Sequence, residues 1–304
     1  MTASQMTRLC TWVLGLFLLC AVSTSAASPD SGGKLKTSVF NLQRRQHEPL
    51  TSVLPKLAQA DVIYLGETHD RPDDHQAQLE MIQALHRLRP TLTIGMEMFQ
   101  RPYQSVLDRY LAGVLTEAEL QDQTQYAKRW GYNWEFYAPI LQFAKANKLP
   151  VIALNTPTEV TRKTARTGLE SLTLADRRFI PPLSAIVLGP DAYRDRLQKT
   201  YAESHHGQGT SINVERFFQA QVLWDETMAE RIAQTLQQRP KMLVVVLVGQ
   251  GHILYGDGIP ARVARRVQGA RLRRSFTQTS LLLNVKEPDS LGDRPVADYV
   301  WYTD

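Results

Sequence analysis

Four short apolar runs constrain the fold of this chain. Val62-Ile63-Tyr64-Leu65-Gly66, Leu92 to Phe99, Val151 to Asn155 and Met242 to Val248 are rich in β-forming residues and read as buried strands. Helical patterns separate them. Asp73 to Leu88 places Leu79, Ile82, Leu85 and Leu88 at helical spacing and is stopped by Pro90. Pro102 opens a further helix, Thr116-Glu117-Ala118-Glu119 fits a capping box, and Phe136 to Asn147 is helical. Strands alternating with helices predict an α/β fold, with a mainly parallel or mixed central sheet flanked by helices. Residues 158–237 differ, and are expected to form a helical cap or insertion. They carry helical patterns, a break at Pro181-Pro182, a weak strand signal at Ala185-Ile186-Val187-Leu188 and a long amphipathic helix from Ile212 to Gln237. Shorter strands are expected at Arg271 to Gln278, Leu281 to Val285 and Tyr299 to Tyr302. Residues 37–304 thus read as one domain, behind a small, polar, flexible leader at 28–36.

In such sheets ligands collect beyond the carboxyl ends of the strands. The first strand ends in Gly66-Glu67-Thr68-His69, the second in Gly95-Met96-Glu97-Met98, the third in Asn155-Thr156 and the fourth in Gly249-Gln250-Gly251-His252. If the strands are parallel neighbours, Glu67, His69, Glu97 and His252 gather at one edge. Such a set can run acid–base chemistry. It can also hold a divalent metal through His69, His252 and Glu97, leaving the other glutamate to activate water. The plainer reading is a set of polar strand ends with satisfied hydrogen bonds. Two Gly-x-x-His motifs at strand ends, with Glu97 close to a glycine, favour the functional one.

Both cysteines, Cys10 and Cys20, lie in the first 27 residues. There a single charge, Arg8, precedes an apolar run from Leu9 to Val22 and a small-residue tail, Ser23 to Ala27. That is the order of a secretory signal peptide, with cleavage expected after Ala27 or Ala26. The run is shorter than the roughly 20 residues of a membrane span. A lipid anchor through Cys20 is the lesser alternative to plain cleavage, because lipoprotein signals want a small side chain where Leu19 stands. Removing 27 of 304 residues leaves 277 without cysteine, so disulfides and thiolates play no part in the expected mature chain. Its charge becomes +5 less that of Arg8, or +4. Export argues against nucleic acid as the anionic partner, and leaves a carboxylate-bearing ligand or a membrane surface. The expected location is the periplasm or cell envelope. The chain has no P-loop, dinucleotide glycine fingerprint, Gly-x-Ser-x-Gly elbow or His-Glu-x-x-His motif.

Gly66-Glu67-Thr68-His69, Gly95-Met96-Glu97-Met98-Phe99 and Gly249-Gln250-Gly251-His252 resemble the ChaN-like branch of the haem-binding-uptake/Tiki superfamily. The tract Gln125 to Tyr137, Leu154-Asn155 and the ending Ala297 to Tyr302 extend the resemblance from about Val62 to the C-terminus. It implies an α/β fold and an envelope protein that binds haem in uptake or trafficking, with a haem-bridged homodimer as one form. More distant relatives include Tiki-type metal-dependent proteases and erythromycin esterases. Their hydrolytic positions map onto Glu67, His69, Glu97 and His252, so a metal-dependent hydrolase is the alternative expectation.

A haem protein needs an axial ligand and an apolar slot. The tract Tyr201 to Gly209 in the cap is rich in ligands, and Tyr201, His205 and His206 are the candidates. Tyr201 and His205 share a helix face at i, i+4. The plainer reading of the histidine pair is a helix C-terminus before Gly207. Met228 and Tyr193 are further candidates. Arg262, Arg265, Arg266, Arg271, Arg273 and Arg274 form a basic run suited to haem propionates or an anionic membrane, although a solvated helix face is the plainer reading. The aromatics from Trp130 to Tyr137 either line a porphyrin slot or dock a helix. His47, His75 and His86 have no supporting neighbours in the sequence.

Overall fold

The computed structural model describes residues 38–204, 211–270, 275–285 and 294–303. The expected signal peptide and leader lie outside the described residues, as do His205, His206, Arg271, Arg273 and Arg274.

The strands are β1 (Ser38–Asn41), β2 (Gln46–Pro49), β3 (Val62–Glu67), β4 (Leu92–Gln100), β5 (Val151–Asn155), β6 (Leu243–Gly249), β7 (Gln278–Leu283) and β8 (Tyr299–Trp301). The helices are α1 (Leu50–Leu57), α2 (Pro72–Leu88), α3 (Gln104–Leu111), α4 (Glu117–Thr124), α5 (Tyr126–Arg129), α6 (Ala138–Ala146), α7 (Thr158–Thr167), α8 (Asp191–Ser204), α9 (Ser211–Gln238) and α10 (Ile259–Gly269). One sheet runs in the order β2-β1-β8-β7-β3-β6-β4-β5. The six strands from β8 to β5 are parallel, and β1 joins the edge antiparallel to both β8 and β2. The fold is therefore α/β with a mixed, mostly parallel sheet, as the alternation of apolar runs and helical patterns predicts.

Side-chain alternation along the strands explains why the central runs are apolar throughout. Ile63, Leu65, Ile94, Met96, Val245 and Leu247 face one layer, with Met81, Ile82 and Leu85 of α2 and Ile140 and Leu141 of α6. Val62, Tyr64, Val244, Val246 and Val248 face the other, with Met228, Ile232 and Leu236 of α9 and Val263 and Val267 of α10. The second half of α9 is thus a sheet-layer helix. Its first half carries Phe218, Val222 and Leu223 into two smaller apolar clusters with Val160 of α7, Tyr193 and Leu197 of α8, and Leu169, Leu172 and Ile180 between them. Helix α4 starts with the capping box expected at Thr116. The Thr116 amide donates to Glu119 Oε2 at 2.7 Å, and the Glu119 amide donates to Thr116 Oγ1 at 3.2 Å.

Two strand expectations change. Ala185 to Leu188 is not a strand: a 3₁₀ turn covers Leu183–Ala185. Side chains rather than a neighbouring strand satisfy its peptide groups. Arg262 and Arg265 donate to the carbonyls of Val187 and Ala185 at 3.3 Å, and the Val187 amide donates to Glu226 Oε1 at 3.0 Å. The strand expected from Arg271 begins only at Gln278 among the described residues, and continues through the run expected from Leu281. Among the described residues no helix is long and apolar enough to cross a membrane.

Candidate functional site

The register of three parallel strands builds the site. β6 lies between β3 and β4, with Glu67 level with Gly249 and Met96 level with Leu247. Glu67 and Glu97 therefore flank the end of β6 from either side. Alternation sends Glu67 to the α2/α6 layer and Glu97 to the α9 layer. Gly249 between them has no side chain, and the space is used. A Cβ there would stand 2.7 Å from Cε1 and 2.8 Å from Nε2 of His69. The imidazole of His69 lies over the glycine backbone, and any other residue would displace it.

Each carboxylate is held by several donors. Glu67 is buried and accepts from Tyr137 Oη at 2.7 Å and Gln78 Nε2 at 2.7 Å, while His69 Nδ1 lies 2.8 Å from its Oε1. His75 Nδ1 stands 3.6 Å from its Oε2, with the ring stacked on Phe136 at 4.7 Å. Glu97 accepts from the Gly249 amide at 2.8 Å, and its Oε1 lies 3.5 Å from His252 Nε2. Nδ1 of His252 donates to Asp225 Oδ1 at 2.5 Å, and the other oxygen of Asp225 accepts from Tyr193 Oη at 2.5 Å. The two halves share a plan: Tyr137–Glu67–His69 on one layer and Tyr193–Asp225–His252 on the other.

Charge follows from this wiring. Burial opposes a charged His252, but the attraction of Glu97 and Asp225 and the hydrogen bonds to both outweigh it, and its pKa is pushed up to about 10. Burial likewise opposes charge on His69, yet its bond to Glu67 and the carboxylates of Glu97 and Glu67 leave its pKa raised. Burial alone would raise Glu97, but His252, His69 and the Gly249 amide hold it below the usual carboxylate value. Burial first, then Asp225, keeps the Tyr193 phenol protonated well above its ordinary range. The charged form of His252 is thus favoured at neutral pH, on a half-buried ring between two carboxylates.

This edge is the floor of a cleft of ≈ 550 Å³. Trp130 and Tyr132 meet the His69 ring, each at 4.8 Å, and Trp224, Phe217 and Ala220 of α9 add apolar wall. Thr156, Thr158, Thr161, Arg162 and Ala165 supply a more polar wall at the start of α7. The structure brings His69, Glu97 and His252 together at the cleft floor, with Glu67 buried behind His69 and bonded to it. It also adds Asp225, Tyr193, Tyr137, Gln78 and His75, which sequence reasoning did not place there. The aromatic tract divides: Trp130 and Tyr132 line the cleft, while Trp134 and Tyr137 are buried in the core.

The candidate ligands of the cap fare differently. Tyr201 is buried on α8, its ring 5.1 Å from that of Phe217, one residue behind the cleft wall. Tyr193 is engaged by Asp225, and Met228 is sheet-packing core. The basic run is neither a solvated face nor a free anion receptor in its first half. Arg262, Arg265 and Arg266 converge on the fully buried Glu226, with Arg265 Nη2 at 2.7 Å and Arg266 Nη2 at 2.5 Å from Oε2. A buried carboxylate needs such partners, and here they are the arginines.

The sequence matches the family described as haem-binding uptake, Tiki superfamily, ChaN, across residues 53–263. The chain belongs to this family. The solved structure described as cofacial haem binding to ChaN of Campylobacter jejuni superposes with a TM-score of 0.67 at 19% identity, over 86% of this chain and 95% of that one. The chain is also 27% identical over 271 residues to Protein RETICULATA-RELATED 5, chloroplastic, of Arabidopsis thaliana, covering 83% of itself and 35% of that protein. It thus spans about a third of that relative. A solved erythromycin esterase mutant in its open conformation overlaps at a TM-score of 0.45 and 13% identity, over 87% of this chain and 82% of that one.

The ChaN cleft suits haem better than a bare metal ion. Among the described residues, no group of three or more His, Cys, Asp and Glu side chains is arranged to hold a metal. The wiring of His252 explains this: its Nδ1 is committed to Asp225 and its Nε2 faces Glu97, so that ring offers an ion no free nitrogen. The metal expectation for His69, His252 and Glu97 therefore has no support in this geometry. His69 has what a single axial ligand needs. Its side chain is 27% exposed, its Nδ1 is held by a carboxylate, and its Nε2 has no partner among the described residues. Aromatic walls beside it supply the apolar slot.

Proposed function

We propose that this chain binds haem in the cleft at the carboxyl edge of its sheet and serves haem uptake or trafficking in the cell envelope. The observation that carries the reading is His69, oriented by Glu67 and flanked by Trp130 and Tyr132 in the cleft of a ChaN-family fold. Haem supplies an iron that takes axial ligands and two propionate carboxylates. Glu67, steadied by Tyr137 and Gln78, fixes the His69 ring and its tautomer. Trp130, Tyr132 and Trp224 keep water from the site. A homodimer bridged by haem belongs to the same proposal, as does export through residues 1–27; molar mass with and without haem and N-terminal sequencing of the exported protein test them.

Haem added to the purified protein is expected to give a shifted Soret band that His69→Ala abolishes. Absence of the shift would sink the reading. A shift kept in His69→Ala but lost in the triple variant Tyr201→Phe, His205→Ala, His206→Ala would move the ligand to the cap.

One observation favours hydrolysis as a second reading: two carboxylate-paired imidazoles share the cleft floor. His69 is placed to take a proton from water, and cationic His252 to stabilise developing negative charge. Turnover of model esters by haem-free protein, lost in His69→Ala, would support it; an inert protein would sink it.

A further inference from the structure

The cleft contains a polar feature that neither ring of the floor uses. Thr158, Thr161, Arg162 and Ala165 lie at i, i+3, i+4 and i+7, so one face of α7 runs along the cleft. Thr156, just before that helix, is 1% exposed, and its Oγ1 has no hydrogen-bond partner among the described residues. Its neighbours are all engaged. The Thr156 amide donates to Asn155 Oδ1 at 2.7 Å, Gln100 donates to Thr158 Oγ1, and Thr161 Oγ1 donates to the Pro157 carbonyl at 3.2 Å. A buried hydroxyl without a partner costs free energy unless something completes it.

The cations of the cleft show the same gap. His252 faces Asp225 and Glu97, His69 faces Glu67, and Arg129 lies 2.9 Å from Glu159. Among the described residues, the guanidinium of Arg162 is the cleft cation with no carboxylate beside it. It projects from the first turns of α7, whose N-terminus already favours negative charge. A buried donor without a partner, a guanidinium without a carboxylate and a helix start along one wall are complementary to a carboxylate.

We propose that Thr156 and Arg162 form a carboxylate subsite, and that it receives a propionate of the porphyrin. The proposal deepens the haem reading and rests on it. Arg162 supplies the charge and Thr156 Oγ1 a directed donor, so the α7 wall sets which way the ring's carboxylates point. His69 and the aromatic walls act on the iron and the ring plane instead.

The test uses metal-free protoporphyrin IX and its dimethyl ester, so that iron ligation plays no part. Both are titrated into the full chain by quenching of tryptophan fluorescence. The wild type is expected to bind the diacid roughly ten- to hundredfold more tightly than the diester, the range of a charge-assisted hydrogen bond. Arg162→Ala, at an exposed position, should remove most of that preference, Arg162→Lys should retain part of it, and Thr156→Val should weaken the diacid while leaving the diester unchanged. Equal affinity for diacid and diester in the wild type would overturn the subsite and leave the haem reading standing. So would a preference untouched by Arg162→Ala and Thr156→Val. Binding of neither porphyrin, with no Soret shift for haem, would overturn both.

Discussion

His252 is the group whose titration should be felt by the whole fold. Its ring sits between Asp225 at 2.5 Å and Glu97 at 3.5 Å, and its pKa rises from 6.5 to about 10. At about 1.4 kcal/mol per unit, that rise is worth roughly 5 kcal/mol of preference for the charged ring in the folded state. The sign is set by linkage. Below pH 6.5 both folded and unfolded chains hold the proton, and the full contribution is present. Between 6.5 and about 10 only the folded chain holds it, so stability falls by about 1.4 kcal/mol per pH unit. Above about 10 the contribution is gone. The assay is urea unfolding of wild type and His252→Gln from pH 6 to 10.5, read as the difference between the two. Groups common to both, including the buried tyrosines, cancel in that difference. At pH 6 the variant should be less stable by about 3–5 kcal/mol, since it leaves Asp225 and Glu97 buried without their cation. The gap should then close steadily towards pH 10, and Asp225→Asn should flatten the wild-type slope. A gap that stays constant with pH would refute the reasoning, because it would mean that His252 titrates alike in folded and unfolded chains.

Other expectations follow from the same contacts. Glu226→Gln leaves Arg262, Arg265 and Arg266 around a neutral amide, and chemical denaturation should show a loss of about 3–5 kcal/mol. Glu159→Gln breaks a pair whose carboxylate is 66% exposed, and should cost about 1 kcal/mol or less in the same assay. Gly249→Ala puts a Cβ within 2.8 Å of His69 Nε2, so the ring must move. It should cost about 1–3 kcal/mol and lose the Soret shift while far-UV circular dichroism is kept. Thr116→Ala removes the capping box of α4 far from the cleft, and should lower stability by about 1 kcal/mol with haem affinity unchanged.

The strand ends were legible because parallel strands finish at one edge, so Glu67, His69, Glu97 and His252 needed only the strand assignments to be gathered. The β1–β2 hairpin was not, since Gln46-His47-Glu48-Pro49 is short, polar and closed by proline, the composition of a blunted edge rather than of a strand core. His75 looked isolated because its partner is Glu67 across the layer; only its position three residues before Gln78, on the same face of α2, ties both to that carboxylate. Asp225 is the instructive case. Phe218, Val222, Asp225, Ala229, Ile232 and Leu236 follow one another at helical spacing along α9, and all are buried. The carboxylate stands on the apolar stripe, where a negative charge is intolerable without a partner. A histidine at a strand end can be left to solvent at no cost, so its position alone says little. A carboxylate on a buried stripe cannot, and it demands a cation from elsewhere in the chain. Here His252 answers Asp225, and the arginines of α10 answer Glu226. The out-of-place carboxylate is therefore the stronger pointer to a buried site, and it was readable in the periodicity of a helix already recognised as amphipathic.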